Sequence, residues 1–126
     1  MKKILVIDDS KLLRMANAKM LAKAGYEVLT AADGEEGLKI VQSHTPDLLV
    51  LDMMLPKVSG VEVLQTLRKN PSTQRLPVIV LTSLSEMNRK KIMAEGATDF
   101  VEKSRGLADQ NSSALLVAIA KAFQSG

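Results

Sequence analysis

The sequence contains no cysteine, and only three of its residues are aromatic: Tyr26, Phe100 and Phe123. Without cysteine the chain can form no disulfide framework, thiolate zinc site or iron–sulfur cluster, and nothing in it points to an oxidising compartment. Three aromatic residues are too few for the stacking platforms that bind single-stranded nucleic acid. We therefore expect a cytoplasmic protein that makes no direct contact with nucleic acid.

Long hydrophobic runs are also missing. The first apolar run, residues 4–7 after Lys2 and Lys3, is far too short for a signal-peptide core or a membrane span, so no membrane partner is expected. A length of 126 residues fits one compact domain. The net charge of +3 comes from scattered basic residues, which we interpret as solvated helix faces.

Short apolar runs without polar alternation occur five times. Strands of this kind are typical of a parallel sheet covered by helices on both faces. The runs are residues 4–7, 28–30, 48–51, 78–81 and 100–101. With helical segments between them, they predict an α/β fold with a doubly wound parallel sheet. Its functional crevice is expected at the carboxyl ends of the strands.

Helix signals lie between these runs. Gly25 follows the first helical segment, where a C-terminal cap is expected. The fourth helix is predicted over residues 86–95, and the fifth carries apolar residues within 115–123. The first helix has an apolar stripe of Leu13, Ala16, Met20 and Ala24, and the second and third begin with the capping pairs Asp33 with Glu36 and Ser59 with Glu62.

Polar side chains follow four of the five predicted strands. They are Asp8, Asp9, Asp52, Thr82 and Lys103. Each acidic residue alone would also fit a helix N-terminus or a turn. Three carboxylates, a hydroxyl and an ammonium group converging on one sheet edge are rare outside functional sites, so their combination predicts a functional site.

The chemistry of this set favours a metal ion and a phosphoryl group. Carboxylates held close together repel one another, and a divalent cation would neutralise them. The single histidine, His44, is predicted at the far end of the second helix, so the ligands would be oxygen atoms, which suit Mg²⁺. A cation, an attackable carboxylate at Asp52, a hydroxyl and a lysine are the groups needed to form an acyl phosphate. Glycine-rich dinucleotide and Walker A motifs are absent from the sequence.

Together these motifs resemble the receiver domain of bacterial two-component response regulators, in particular single-domain regulators of the chemotaxis type. The resemblance runs from about Lys3 to the last helix. It implies a flavodoxin-like sheet of five parallel strands in the order 2-1-3-4-5 with five helices, and a phosphoprotein that acts in phosphorelay signal transduction. The matching segments are Asp8-Asp9, Asp52 to Pro56 with Gly60 after it, Thr82-Ser83, and Phe100 to Lys103.

The resemblance also implies a role for the residues that would handle the phosphoryl group. Asp52 would be the phosphoacceptor. Thr82 would be the switch hydroxyl that moves to the phosphoryl group, and Lys103 would contact it through its ammonium group. Phe100 would be the aromatic switch residue.

The same resemblance implies a set of metal ligands. Mg²⁺, with Mn²⁺ able to take its place, would be bound directly by Asp9 and by Asp52. Asp8 would lie nearby or act through water. The main-chain carbonyl of Met54 would be a further protein ligand.

Two features depart from the family pattern. Lys103 is followed by Ser104 where the family usually has proline, so the cis bond before that proline is not expected, since a non-proline cis bond costs about 2.5–4 kcal/mol. Residues 104–113 are longer and more polar than the usual turn into the last helix. Both departures affect the face formed by the fourth helix, fifth strand and fifth helix.

We expect residues 1–126 to form one receiver domain with no output domain. It would be a signalling switch and not a turnover enzyme, although it would catalyse its own phosphorylation and dephosphorylation at Asp52. A sensor histidine kinase or phosphotransfer protein would supply the phosphoryl group, and an unknown output partner would bind the switched form. A monomer or weak dimer is expected.

The sequence also fits three alternative interpretations. The chain could be a receiver-like module that binds its partners constitutively and never needs phosphate. It could be a phosphatase or flavin binder of similar fold. It could also be a piece of a longer regulator.

Overall fold

The structure, a computed structural model, describes residues 1–53, 55, 58–82, 89–102 and 108–125, without the side chains of 82, 89, 102, 108–113 and 125. Five strands alternate with five helices in this part of the chain. The strands are β1 (Lys3–Ile7), β2 (Glu27–Ala31), β3 (Leu48–Asp52), β4 (Val78–Thr82) and β5 (Asp99–Glu102). The helices are α1 (Lys11–Lys23), α2 (Gly34–His44), α3 (Gly60–Lys69), α4 (Arg89–Ala94) and α5 (Ala108–Ser125).

All strand pairs are parallel, and the sheet order is β2-β1-β3-β4-β5. This confirms the predicted doubly wound fold. Successive residues of a strand point to opposite faces of the sheet, and both faces are buried: Leu5 and Ile7 pack with α2, α3 and α4, while Ile4 and Val6 pack with α1 and α5. The strands lack polar alternation because both of their faces are covered.

The predicted helix caps are present. The Asp33 side chain accepts a hydrogen bond from the main-chain N–H of Glu36 at 2.8 Å, and Ser59 Oγ accepts one from Glu62 at 3.2 Å. Gly25, just after α1, has a φ of 100°, the left-handed conformation that glycine adopts without strain. Short-range capping chemistry therefore fixes where these helices begin and end.

The apolar stripe predicted for α1 is not the face that the helix buries. Leu21 is its only buried residue, while Met20 is half-buried. Leu13 is 40% exposed, and Ala16 and Ala24 are also exposed. Alanine contributes little to a hydrophobic stripe, so spacing alone indicates a helix here without selecting its inner face.

The last two helices differ from their predicted extents. α5 begins at Ala108, so residues 108–113, predicted as part of a long polar turn, belong to the helix. A polar and partly acidic first turn is favourable at a helix N-terminus, where it interacts with the helix dipole. α4 begins at Arg89, and the rest of its predicted extent lies outside the described residues. None of the described helices is long and apolar enough to cross a membrane.

Two glycines allow helices to approach the ends of central strands. A Cβ atom on Gly37 of α2 would overlap the side chain of Ile7, at the end of β1. On Gly60, the first residue of α3, it would lie 2.8 Å from the Cα atom of Met53. Real Cβ atoms essentially never come so close, so a side chain at either position would displace the Ile7 side chain or the main chain at Met53.

Candidate functional site

Three carboxylates meet at the carboxyl edge of the sheet. Asp8 follows β1 and Asp52 ends β3, two paired strands in which Ile7 lies opposite Leu51. Carboxylate oxygens of Asp8, Asp9 and Asp52 lie within 4.8 Å of one another. The convergence predicted for these three residues is therefore found.

The three carboxylates differ in burial. Asp8 and Asp52 are almost fully buried, with 1% and 5% of their surfaces exposed, whereas Asp9 is exposed. Charged groups are rarely buried unless other groups compensate for the lost hydration. Two buried carboxylates and one exposed carboxylate thus form a cluster that is open to solvent on one side.

Hydrogen bonds hold the main chain that carries Asp8. Its N–H donates to the carbonyl of Ala31 at 3.1 Å, and its Oδ1 accepts from the N–H of Ser10 at 3.0 Å. Its carbonyl oxygen accepts from Nη1 of Arg14 at 2.8 Å. Ser10 is the N-cap of α1, so the start of the helix and the acidic residues form one hydrogen-bonded unit.

The end of β3 is fixed by its neighbours. Met53 donates its N–H to the carbonyl of Leu81 at 3.3 Å and accepts from the N–H of Gly60 at 3.4 Å. A Cβ atom on Gly60 would also lie 3.0 Å from the carbonyl oxygen of Asp52. Close contact with α3 therefore restrains the main chain of Asp52.

The electrostatics of the cluster favour a bound cation. At 4.8 Å, the largest separation of these oxygen atoms, two unit charges repel by about 3.5 kcal/mol at an effective dielectric constant near 20. A set of carboxylate oxygens suits a hard divalent ion such as Mg²⁺. The residues present at this edge thus fit a magnesium site in the chemistry of their donor atoms.

Of the other predicted site residues, two are described by the structure and two are not. Thr82 ends β4, one residue beyond the partner of Asp52, so its main chain lies at the same edge. Phe100 is half-buried in β5 and packs against the core beneath α4. Met54 and Lys103 lie outside the described residues, as does the peptide bond after Lys103.

A histidine lies away from the carboxylates, and an arginine lies beside them. His44 ends α2, and its Nδ1 atom lies 2.8 Å from Ser43 Oγ; it does not belong to the acidic cluster. Arg14 was not predicted as a site residue. One sequence signal could have identified it. α1 directly follows an acidic pair, and Arg14 lies one turn beyond the N-cap of that helix.

Comparison with known proteins identifies the family. A family model described as the response regulator receiver domain matches residues 4–112. The chain belongs to this receiver domain family. Curated relatives of this receiver domain include the PhoP regulator of alkaline phosphatase synthesis from Bacillus subtilis, 44% identical over 105 residues, and the PhoB regulator of the phosphate regulon from Rhizobium meliloti, 43% identical over 102.

These relatives are longer than the chain. The PhoP match covers 81% of this receiver domain and 42% of the relative, and the PhoB match covers 80% and 45%. Both relatives are named as transcriptional regulators, so they are signalling proteins and not metabolic enzymes. The expectation that the present chain makes no direct contact with nucleic acid stays a prediction.

Solved structures show the same fold. The chemotaxis response regulator CheY4 of Vibrio cholerae superposes with a TM-score of 0.86 at 31% identity, over 97% of this receiver domain and 98% of that chain. A response regulator receiver domain protein from Clostridium thermocellum superposes with a TM-score of 0.86 at 31% identity. The match covers 99% of this receiver domain and 96% of that chain. The family and the fold inferred from the sequence are thereby confirmed.

Proposed function

We propose that this receiver domain is a phosphorylation-activated switch that accepts a phosphoryl group on Asp52. The observation that carries the proposal is the position of Asp52, buried at the end of β3 with oxygens of Asp8 and Asp9 within 4.8 Å. The phosphodonor would be the phosphohistidine of a sensor kinase or phosphotransfer protein.

The transfer needs only the phosphodonor and a proton from solvent. A carboxylate oxygen of Asp52 attacks phosphorus, the P–N bond to the donor histidine breaks, and the imidazole leaves with a proton from solvent. The product is an acyl phosphate. Lys103 follows β5 in the sequence and would contribute a positive charge beside the phosphoryl oxygens.

Asp8, Asp9 and Asp52, with the main-chain carbonyl of Met54, would hold Mg²⁺. When bound, Mg²⁺ would neutralise charge on the transferring phosphoryl group. The same three side chains would relieve their mutual repulsion by sharing the cation. Cation binding and acceptance of phosphate are therefore parts of one proposal.

The switch needs several groups to act together. Moving a conformational equilibrium from 1:99 to 99:1 takes about 5.5 kcal/mol of differential interaction, while one hydrogen bond to a charged group contributes about 1.5–3 kcal/mol. A hydrogen bond from Thr82 is insufficient alone. We propose that Thr82 acts with Lys103 and with repacking of Phe100 to change the affinity for an output partner.

Intact mass spectrometry after incubation with acetyl phosphate and Mg²⁺ tests the acceptor. Wild type should gain a phosphoryl group, and Asp52→Asn should gain none. Asp47→Asn is a matched control, because Asp47 immediately precedes β3 at its opposite end; it should be modified like wild type. Full modification of Asp52→Asn would show that another residue is the acceptor. An unmodified wild type would favour the constitutive binding module.

A further inference from the structure

We propose that Arg14 is a positioning residue for the cation site, which it serves by fixing the main chain around Asp9. This inference rests on the proposed function, since it assigns Arg14 a role in binding Mg²⁺ at the same carboxylates. Arg14 itself would touch neither the cation nor the phosphoryl group.

Both peptide groups that flank Asp9 are hydrogen-bonded. In the peptide group that joins Asp8 to Asp9, the carbonyl oxygen of Asp8 accepts a hydrogen bond from Arg14 Nη1 at 2.8 Å. In the peptide group that joins Asp9 to Ser10, the N–H of Ser10 donates a hydrogen bond to Asp8 Oδ1 at 3.0 Å. The N–H of Arg14 also donates to the carbonyl of Ser10 at 2.8 Å. Arg14 thus spans this turn with one main-chain bond and one side-chain bond.

Asp9 depends on these bonds more than the other two carboxylates do. Asp8 and Asp52 are buried, so surrounding atoms restrict their positions. Asp9 is exposed, and packing therefore does little to hold its carboxylate towards the cluster. Among the described residues, the hydrogen bonds of the two neighbouring peptide groups restrict the main chain from which this carboxylate extends.

Charge and geometry predict opposite effects of removing Arg14. A guanidinium group near a cation site repels the cation, so on charge alone its loss should tighten Mg²⁺ binding. If Arg14 positions Asp9, its loss should weaken binding. Removal of groups that orient metal ligands typically lowers metal affinity 10–100-fold. The sign of the change in affinity therefore separates the two accounts.

The full chain, ¹⁵N-labelled and without phosphodonor, is titrated with Mg²⁺ while amide chemical shifts are followed by NMR. Arg14→Met removes the charge and the donors but keeps an extended stem; its Kd for Mg²⁺ should rise about tenfold. Arg14→Lys keeps the charge on a shorter stem without the guanidinium fork and should give a smaller rise. Arg75→Met, at an exposed arginine far along the chain, should bind like wild type.

A Kd for Arg14→Met that is equal to or below the wild-type value overturns the proposal. Urea unfolding without Mg²⁺ supplies a second readout, because a purely structural role would lower stability and leave the Kd unchanged. If Arg14→Met does not fold, Arg14→Lys decides, and a Kd within twofold of wild type overturns the proposal. If wild type and Asp9→Ala alike show no saturable response to Mg²⁺, the metal site itself is refuted, and the role of Arg14 with it.

Discussion

Replacing Asp8 by asparagine should stabilise the fold when no divalent cation is present. Asp8 and Asp52 are both buried, and their carboxylate oxygens lie within 4.8 Å of each other. Asparagine has nearly the same shape, and its side-chain oxygen can still accept the hydrogen bond from the N–H of Ser10 that Asp8 Oδ1 accepts at 3.0 Å. The substitution therefore removes mainly the charge.

The expected magnitude follows from two terms. Loss of the repulsion between two charges at the upper limit of 4.8 Å stabilises the fold by about 3.5 kcal/mol at an effective dielectric constant near 20. The bond from Ser10 changes from a charged to a neutral acceptor, which costs about 1 kcal/mol. The free energy of unfolding of Asp8→Asn should thus exceed that of wild type by about 2–3 kcal/mol in EDTA.

Urea unfolding followed by far-UV circular dichroism measures this difference. Mg²⁺ should reduce the difference in unfolding free energy between Asp8→Asn and wild type. An ion that binds the folded state stabilises wild type more than a variant that lacks one carboxylate. Asp47→Asn is the control, since Asp47 also accepts a main-chain N–H, that of Lys3 at 2.8 Å, but does not belong to the acidic cluster. It should be slightly destabilised. An Asp8→Asn variant no more stable than wild type in EDTA would refute the reasoning.

Two further variants test the close packing at β3 and the switch. Gly60→Ala should lower the free energy of unfolding by about 1–3 kcal/mol, because a Cβ atom must displace Met53; equal or greater stability in urea would contradict that contact. Thr82→Ala should accept phosphate to the same occupancy as wild type but show a smaller phosphate-dependent gain in partner affinity. Partner affinity is measured with the isolated output partner. A phosphate-dependent increase in affinity equal to that of wild type would argue against a role for Thr82 in the switch.

The strands could be predicted because their burial leaves a direct mark on the sequence. Residues 4–7 and 48–51 are continuous apolar runs, and both lie in central strands whose two faces are covered. The edge strand β2 runs from Glu27 to Ala31, one residue beyond the predicted residues 28–30 at each end, and its first residue is a charged side chain exposed to solvent. An edge strand leaves a weaker pattern because fewer elements pack against it.

Features that depend on tertiary contacts could not be predicted in the same way. Asp8 and Asp9 are adjacent and chemically identical, yet one is buried and the other exposed. The contact of Arg14 with the carbonyl of Asp8 involves a main-chain atom, which every residue has. The early start of α5 at Ala108 is hidden because residues 108–113 carry no apolar periodicity.

The pairing of β1 with β3 has a mechanical consequence. The chain between the two strands contains α1, β2 and α2. A cation shared by Asp8 and Asp52 would connect the two ends of this long segment for as long as the cation is bound. A cation that binds only the folded arrangement stabilises it by mass action, to an extent set by the cation concentration relative to its Kd. The bound cation would then add to the hydrogen bonds that hold β1 against β3. The force needed to separate these two strands would therefore rise with the concentration of divalent cations.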